Sequence, residues 1–421
     1  MNQGVQKSGK LFTFLCLYIA QSIPMSFFST ILPVLMRQQD YSLEVIGLLQ
    51  FLKLPWVLKF LWSPAVDRSS HKTSDYKRWI FSSELIYAVI ILAISFLNLE
   101  TDMYTIVMLI IFAFIASATQ DIATDALAVL SFSKKDKSLV NSMQSVGSFA
   151  GAMIGGGFLL LLYHKFGWNQ LLPYLALFVL IALIPLIFFR AGKSDPVIEK
   201  KNYAPPHPDD LLGFFKQKGI WKQLVFLFLY YAGLIGCLAM LRPMLVDYGY
   251  DIKEIGVMSG IIGTSIGCVG SLFGGFIVRR FGRFYPRIIF ALCILITICY
   301  FYCLVNHLQI NTATLHLGIC MLWGSYGMAT IVVYTTAMDR VRDGYEGTDF
   351  TIQTVITHLS GMIMAAVAGQ VAGEFGYSNL FIFEAIIASI SLTYILLVFR
   401  KDELSDSKNK KNDDSGVTEQ I

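Results

Sequence analysis

Apolar residues in this chain gather in runs of roughly twenty or more, separated by short stretches that carry almost all of the charge. The runs cover about 11–36, 42–63, 79–98, 103–131, 138–163, 170–190, 222–246, 255–278, 284–305, 313–335, 350–373 and 379–399. Their length matches the roughly 20 residues a helix needs to cross a hydrocarbon core. They lack the strict polar–apolar alternation of a membrane-spanning strand. The pattern therefore predicts twelve transmembrane helices. The first run is too long for a signal-peptide core and no small-residue cleavage site follows it, so it is expected to remain as the first helix.

Composition agrees. Of 421 residues, 55% are hydrophobic and 15% charged, where soluble domains carry about a quarter charged residues; mean hydropathy is +0.60. The formal charge of +4 matters once it is mapped onto the loops. With the N-terminus inside, all but six of the 33 lysines and arginines fall in inner segments. Outer loops keep only Arg37, Lys165 and Lys253, and Lys53, Lys59 and Arg242 lie within helices. Positive charge favours the cytoplasmic side, so both termini are expected there. The seven cysteines all lie in apolar runs, without metal-ligand spacing or an outer-loop pair, and read as packing residues.

A Pro-rich, charged stretch at 191–221 divides the chain into a six-helix half over 1–190 and another over 222–400, with a charged tail over 401–421 expected to lack structure. The halves echo each other in one register. Pro33, Leu35, Glu44, Ile46 and Gly47 match Pro243, Leu245, Glu254, Ile255 and Gly256; Asp67-Arg68 matches Arg279-Arg280; Gln144-Ser145-Val146 matches Gln353-Thr354-Val355. Parallel repeats of this kind place a solute site between the halves near mid-membrane.

The loop Gly275-Phe276-Ile277-Val278-Arg279-Arg280-Phe281-Gly282-Arg283 resembles the G-x3-D-R-x-G-R loop of the major facilitator superfamily, with Arg279 in place of the acid. The segment from Leu54 to Pro64, LPWVLKFLWSP, followed by Asp67-Arg68, and the helix-4 segment Ala118-Thr119-Gln120-Asp121-Ile122-Ala123-Thr124-Asp125 resemble signatures of its AmpG-like branch. That branch includes muropeptide permeases, siderophore transporters of the RhtX/FptX type and acetyl-coenzyme A transporters. The resemblance implies an all-α integral membrane protein of major facilitator type, with two pseudo-repeated six-helix bundles. It also implies a gating loop of Asp67, Arg68, Arg279, Arg280, Gly282 and Arg283, with Asp67 at an inner gate near helix 11. The chain is short for a muropeptide permease, which ranks siderophore first, muropeptide second and coenzyme A thioester third.

An ionisable group inside a membrane helix costs roughly 2.5–3.5 kcal/mol at the centre and calls for a partner or a purpose. Lys53 and Lys59 lie in helix 2; Asp121 and Asp125, at i and i+4, share a face of helix 4 at the depth of Lys59. An ion pair there could pin two helices, or one carboxylate could exchange a proton during transport. Arg242 either reaches the outer interface or binds an anionic solute group. Gln120, Gln144, Gln353, Tyr230, Tyr231, Trp323, Tyr326 and His358 complete the candidate solute contacts. Glu84, Asp349 and Glu384 are expected near the interfaces. Glycines at four-residue spacing in helices 5 (Gly147, Gly151, Gly155), 8 and 11 predict close, smooth helix contact; the family resemblance implies that helices 5 and 8 meet across the boundary between the halves, as do 2 and 11.

No His-rich cluster, nucleophile elbow or phosphate-binding loop is present in the sequence, so an enzyme and an ATP-driven pump are not expected. The reading is a secondary importer of a bulky polar, anionic solute in the cytoplasmic membrane. It needs no metal or cofactor beyond a proton gradient, no nucleic acid and no second subunit. An exporter of the same fold and a transporter-like receptor are the rivals.

Overall fold

The computed structural model describes residues 3–40, 48–189, 208–307 and 311–416. Among them the chain forms twelve membrane-length passes. They are α1 (Gln3–Gln38), α2 (48–68, in short pieces), α3 (Thr73–Ile94), α4 (Met103–Ser131), α5 (137–166), α6 (Trp168–Phe188), α7 (Ile220–Asp247), α8 (Lys253–Phe281), α9 (Phe284–Asn306), α10 (Thr312–Met338), α11 (346–375) and α12 (377–416). A short connector helix, Pro208–Phe215, precedes α7. The remainder of the central loop, 190–207, lies outside the described residues, as do Glu44, Ile46 and Gly47 of the repeat.

Local chemistry explains where these helices break. Pro55 and Pro64 each sit in a first helical turn, where a missing N–H does no harm, and a tight turn over Lys59–Leu61 separates those pieces. α2 is thus segmented at the residue that carries its buried charge. Wider turns interrupt α5 at Ile154–Phe158 and α8 at Gly256–Gly263, both glycine-rich. Gly167 (φ 72°) turns α5 into α6 and Gly376 (φ 80°) turns α11 into α12; at equivalent places in the two halves, each adopts a backbone that glycine alone takes without strain. The tail departs from expectation: the helix continues to Gly416, because extending an existing helix avoids the cost of nucleation.

One apolar core is built from α7–α12 and the connector, around Phe226, Phe290, Phe301 and Ile331. A second joins α1–α6, around Phe28, Tyr87, Phe114 and Trp168. The third contains Phe14, Tyr18 and Ile122 of the first half together with Ala337, Met338 and Phe350 of the second. The halves therefore share a core only toward one end. That end carries the Lys- and Arg-rich turns and is called the basic end below. Large apolar side chains such as Phe96, Tyr104 and Phe188 are exposed while Asp121, Asp125, Glu84 and Glu384 are buried, as expected of a bundle whose surface faces lipid.

The glycines of α5 pack differently from expectation. A β-carbon at Gly151 would overlap Ser22 Cβ and stand 2.9 Å from Ser22 C; one at Gly147 would stand 2.6 Å from Tyr18 Cβ. The stripe seats α5 on α1 within its own half. Contact between α5 and α8 runs through other atoms: Ser138 Oγ donates to Gly275 O (2.9 Å) and Ser142 Oγ to Ser271 O (2.9 Å). Gly151→Ala is expected to lose about 1–3 kcal/mol by overpacking, seen as a lower melting temperature of purified protein. Gly157→Ala, with nothing within 4 Å, should leave it unchanged; equal behaviour of the two variants would show that the α1–α5 contact is looser than described.

Candidate functional site

A cavity of about 540 Å³ lies between the halves, lined by α1, α2, α4 and α5 on one side and α7, α10 and α11 on the other. Its volume falls in the usual range for small-molecule sites. Polar groups converge on its first-half wall. Lys59 Nζ forms an ion pair with Asp121 Oδ2, both residues buried, and stands 5.3 Å from the centre of the Trp56 ring. Gln21 Nε2 donates to Asp121 Oδ1 (2.9 Å). Asp125 accepts from Tyr18 Oη (2.8 Å) and Gln144 Nε2 (3.3 Å). A buried pair is tolerable only when hydrogen bonds satisfy its remaining lone pairs, and Gln21 does that for Asp121. Lys53 also lines the cavity; it is exposed, and no carboxylate lies within ion-pair distance of it among the described residues.

The second-half wall is more neutral. Tyr231, Tyr326, Tyr334, Thr354, Thr357 and His358 line it, and Tyr231 and Tyr326 lie 5.8 Å apart, ring centre to ring centre. Charge thus sits on one wall, while aromatic faces and hydroxyls occupy the other.

Of the candidate residues, Lys53, Lys59, Asp121, Asp125, Gln144, Tyr231, Tyr326 and His358 meet in this cavity. Five others lie elsewhere. Gln120 is fully buried on another face of α4; one residue of helical rotation separates it from Asp121. Gln353 Nε2 donates to Ala337 O (3.0 Å) and Asp349 O (3.1 Å), tying α10 to α11. Tyr230 points into the second-half core and donates to Arg287 O (3.0 Å). Trp323 packs on Phe149 and Tyr326 beside the cavity. Arg242 is exposed toward the end of α7 opposite the basic end, away from the lining. Sequence position gives depth along a helix well and azimuth poorly, which explains all five. Depth alone also misplaced Glu84, Glu384 and Asp349, which are fully buried; Glu384 fills the space left by Gly236, and Arg342 grips Asp349 with Nε (2.9 Å) and a terminal nitrogen (2.6 Å).

Toward the basic end the cavity floor is sealed. Asp67, fully buried, accepts from the backbone N–H groups of Gly347 (3.1 Å) and Thr348 (2.6 Å) in the first turn of α11, and from Tyr76 Oη (2.7 Å). A carboxylate at a helix N-terminus meets unpaired donors and the positive end of the dipole. Arg279 Nε reaches Asp136 Oδ1 across the halves (2.8 Å), and Lys7 joins the same carboxylate at 2.5 Å. Burial opposes the charge of Asp136, but these two cations hold its carboxyl below the usual carboxylate range. Arg283 binds Asp339 (2.8 Å) and the Lys134 carbonyl, and Gly282, at φ 79°, ends α8. Arg68 binds Asp210 of the connector (2.5 Å), whose carboxylate also accepts from Tyr345 Oη (3.0 Å) and whose carbonyl accepts from Arg342 (2.6 Å). At the opposite end, ties such as Gln39 to Leu99 O, Asn169 to Ser95 O and Tyr377 to Asp247 join neighbours within one half.

Tyr18, Gln21, Asp136 and Asp210 belong to this network without standing out in the sequence. The spacing of Tyr18, Gln21, Ser22, Met25 and Ser26 along α1, three and four residues apart, is the signal that marks a cavity-facing stripe. Asp210 carries no comparable signal, since a surface connector and a docked one share the same composition.

The family model described as Major Facilitator Superfamily matches residues 11–365. The chain is 25% identical over 394 residues to the anhydromuropeptide permease of Escherichia coli, covering 92% of this chain and 79% of that protein. It is 24% identical over 409 residues to the AmpG 4 protein of Rickettsia felis, covering 94% and 97%. Among solved structures, the human organic anion transporter TETRAN superposes with a TM-score of 0.72 at 13% identity, over 94% of this chain and all of that one.

Proposed function

Because the chain belongs to the Major Facilitator Superfamily, we propose that it is a proton-driven importer of a bulky, anionic solute of the anhydromuropeptide class. The basic end faces the cytoplasm in this reading, and the molecule stands closed on that side. The observation that carries the reading is the interbundle cavity, with a buried Lys59–Asp121 pair and Asp125 on one wall and a sealed floor below. Alternating access needs a site between two halves that can rock about it, and this arrangement supplies one.

The lining suits the substrate class. Lys53 offers a cation for a carboxylate; Ser22, Ser26, Ser148 and Thr357 offer hydrogen bonds to hydroxyls and amides; Trp56, Tyr231 and Tyr326 offer flat faces for sugar rings. The Escherichia coli relative supports muropeptide over siderophore by its name, anhydromuropeptide permease.

The test is uptake by proteoliposomes under an imposed inward proton gradient, with labelled N-acetylglucosaminyl-anhydro-N-acetylmuramyl peptide. At least tenfold accumulation, collapsed by a protonophore, is expected. Accumulation of a ferric siderophore or a coenzyme A thioester instead would move the substrate class, and uptake only by oppositely oriented protein would make the chain an exporter.

A further inference from the structure

A second concave site lies on the outer surface of the bundle, away from the solute cavity. It has a volume of about 280 Å³ and is lined by Lys135, Phe276, Arg279 and Arg280. Lys135 comes from the α4–α5 turn of the first half, the other three from the end of α8 in the second. Arg279 is paired with Asp136. Lys135 and Arg280 are exposed, and neither has a carboxylate within ion-pair distance among the described residues. Arg280 lies over the exposed ring of Phe281 at 5.6 Å.

What runs into this basic site decides its occupant. Val269, Leu272, Phe273 and Phe276 are all exposed, and their spacing of i, i+3, i+4 and i+7 places them on one face of α8. In a bilayer that face meets acyl chains. The same stripe, continued eleven residues from Val269, arrives at Arg280. An apolar strip thus ends in a cluster of cations at the depth where the helix leaves the hydrocarbon. We infer that an anionic phospholipid binds here, its phosphate held by Lys135, Arg279 and Arg280 and one acyl chain lying along the α8 stripe. Basic pockets between helix ends are suited to anionic headgroups, and guanidinium groups suit phosphate oxygens. A free phosphate would use the cations but leave the stripe without a role.

The cations come from both halves, and Arg279–Asp136 joins those halves in this form, whose basic end is closed. A lipid bridging Lys135 to α8 therefore favours that closed form, since a ligand shifts an equilibrium toward the state it binds better. The site itself rests on the membrane placement; which leaflet supplies the lipid rests on the orientation proposed above.

The test needs no transported solute, so its failure is distinct from failure of the transport reading. Full-length purified protein is titrated with phosphatidylglycerol or phosphatidylcholine of matched chains, and retained lipid is counted by native mass spectrometry. Wild-type protein is expected to retain phosphatidylglycerol preferentially and to gain melting temperature with it. Lys135→Gln combined with Arg280→Gln should bind it roughly thirtyfold more weakly, the effect of two cations at about 1 kcal/mol each, while Lys135→Arg with Arg280→Lys restores binding. Equal retention of the two lipids, or an undiminished preference in the neutral double variant, overturns the proposal. So does full displacement by millimolar inorganic phosphate, which would make the ligand the ion alone.

Discussion

Asp121→Asn is expected to abolish gradient-driven accumulation, and the companion Lys59→Gln is expected to rescue the fold without rescuing transport. The two side chains form a buried ion pair at the cavity wall. Removing either charge leaves the other buried without compensation, which costs on the order of 3–5 kcal/mol. Each single variant should therefore purify poorly and melt early. Neutralising both removes that penalty, because two neutral partners can share a hydrogen bond where two ions stood. If the pair serves only to fasten α2 to α4, the double variant should accumulate solute as well as wild type. If Asp121 carries charge through the transport cycle, the double variant should melt normally yet fall at least tenfold in accumulation. Asp125→Asn separates the steps further: Tyr18 and Gln144 can still contact an amide there, so folding is kept. Solute exchange without a gradient should then persist while uphill accumulation is lost. Recovery of uphill accumulation in the neutral pair would reduce Lys59–Asp121 to a structural fastening.

The contrast between Asp121 and Gln120 shows what the sequence could and could not convey. Helical passes, their order and the split into halves follow from runs of apolar residues, because lipid enforces length and apolarity on every pass. Lys59 with Asp121, and Asp125 one turn on, were also legible: charges inside such runs are rare, and two at one depth on different helices attract each other. Azimuth was not legible. In a soluble bundle a polar stripe marks the outside, whereas here exposed faces are apolar and buried faces mixed. Hence Gln120, Gln353 and Tyr230 looked like solute contacts and are buried within the protein, the last two hydrogen-bonded there. The α5 glycines show the same limit from the other side. Their spacing announces close approach, but whether the partner is α1 or α8 depends on which helix the fold brings alongside.

At the floor of the cavity a single carboxylate accepts three hydrogen bonds, so Asp67→Asn should open it. Asp67 belongs to the first half and the Gly347 and Thr348 N–H donors to the second. An amide would have to present its oxygen to both N–H groups, turning its own donors toward Tyr76, and would lose the attraction of the α11 dipole. Charged hydrogen bonds contribute about 1.5–3 kcal/mol each. A net loss of about 2 kcal/mol would move the balance between floor-closed and floor-open forms roughly thirtyfold. Spin labels on Lys134→Cys and Tyr285→Cys, across the basic end of a protein whose seven native cysteines are replaced, should then report a longer-distance population that is scarce in the parent. Asp210→Asn attacks the same seal from the connector, where Arg68, Arg342 and Tyr345 converge. Its partner Arg68 is the chain neighbour of Asp67, so the two effects should couple, and the double variant should depart from their sum. Import should fall in step with the closed population, because solute taken from the far side needs the floor shut before the cavity can fill against a gradient. Unchanged distances in the Asp67→Asn protein, with full import, would remove Asp67 from the gate and leave the α5–α8 contacts as the seal.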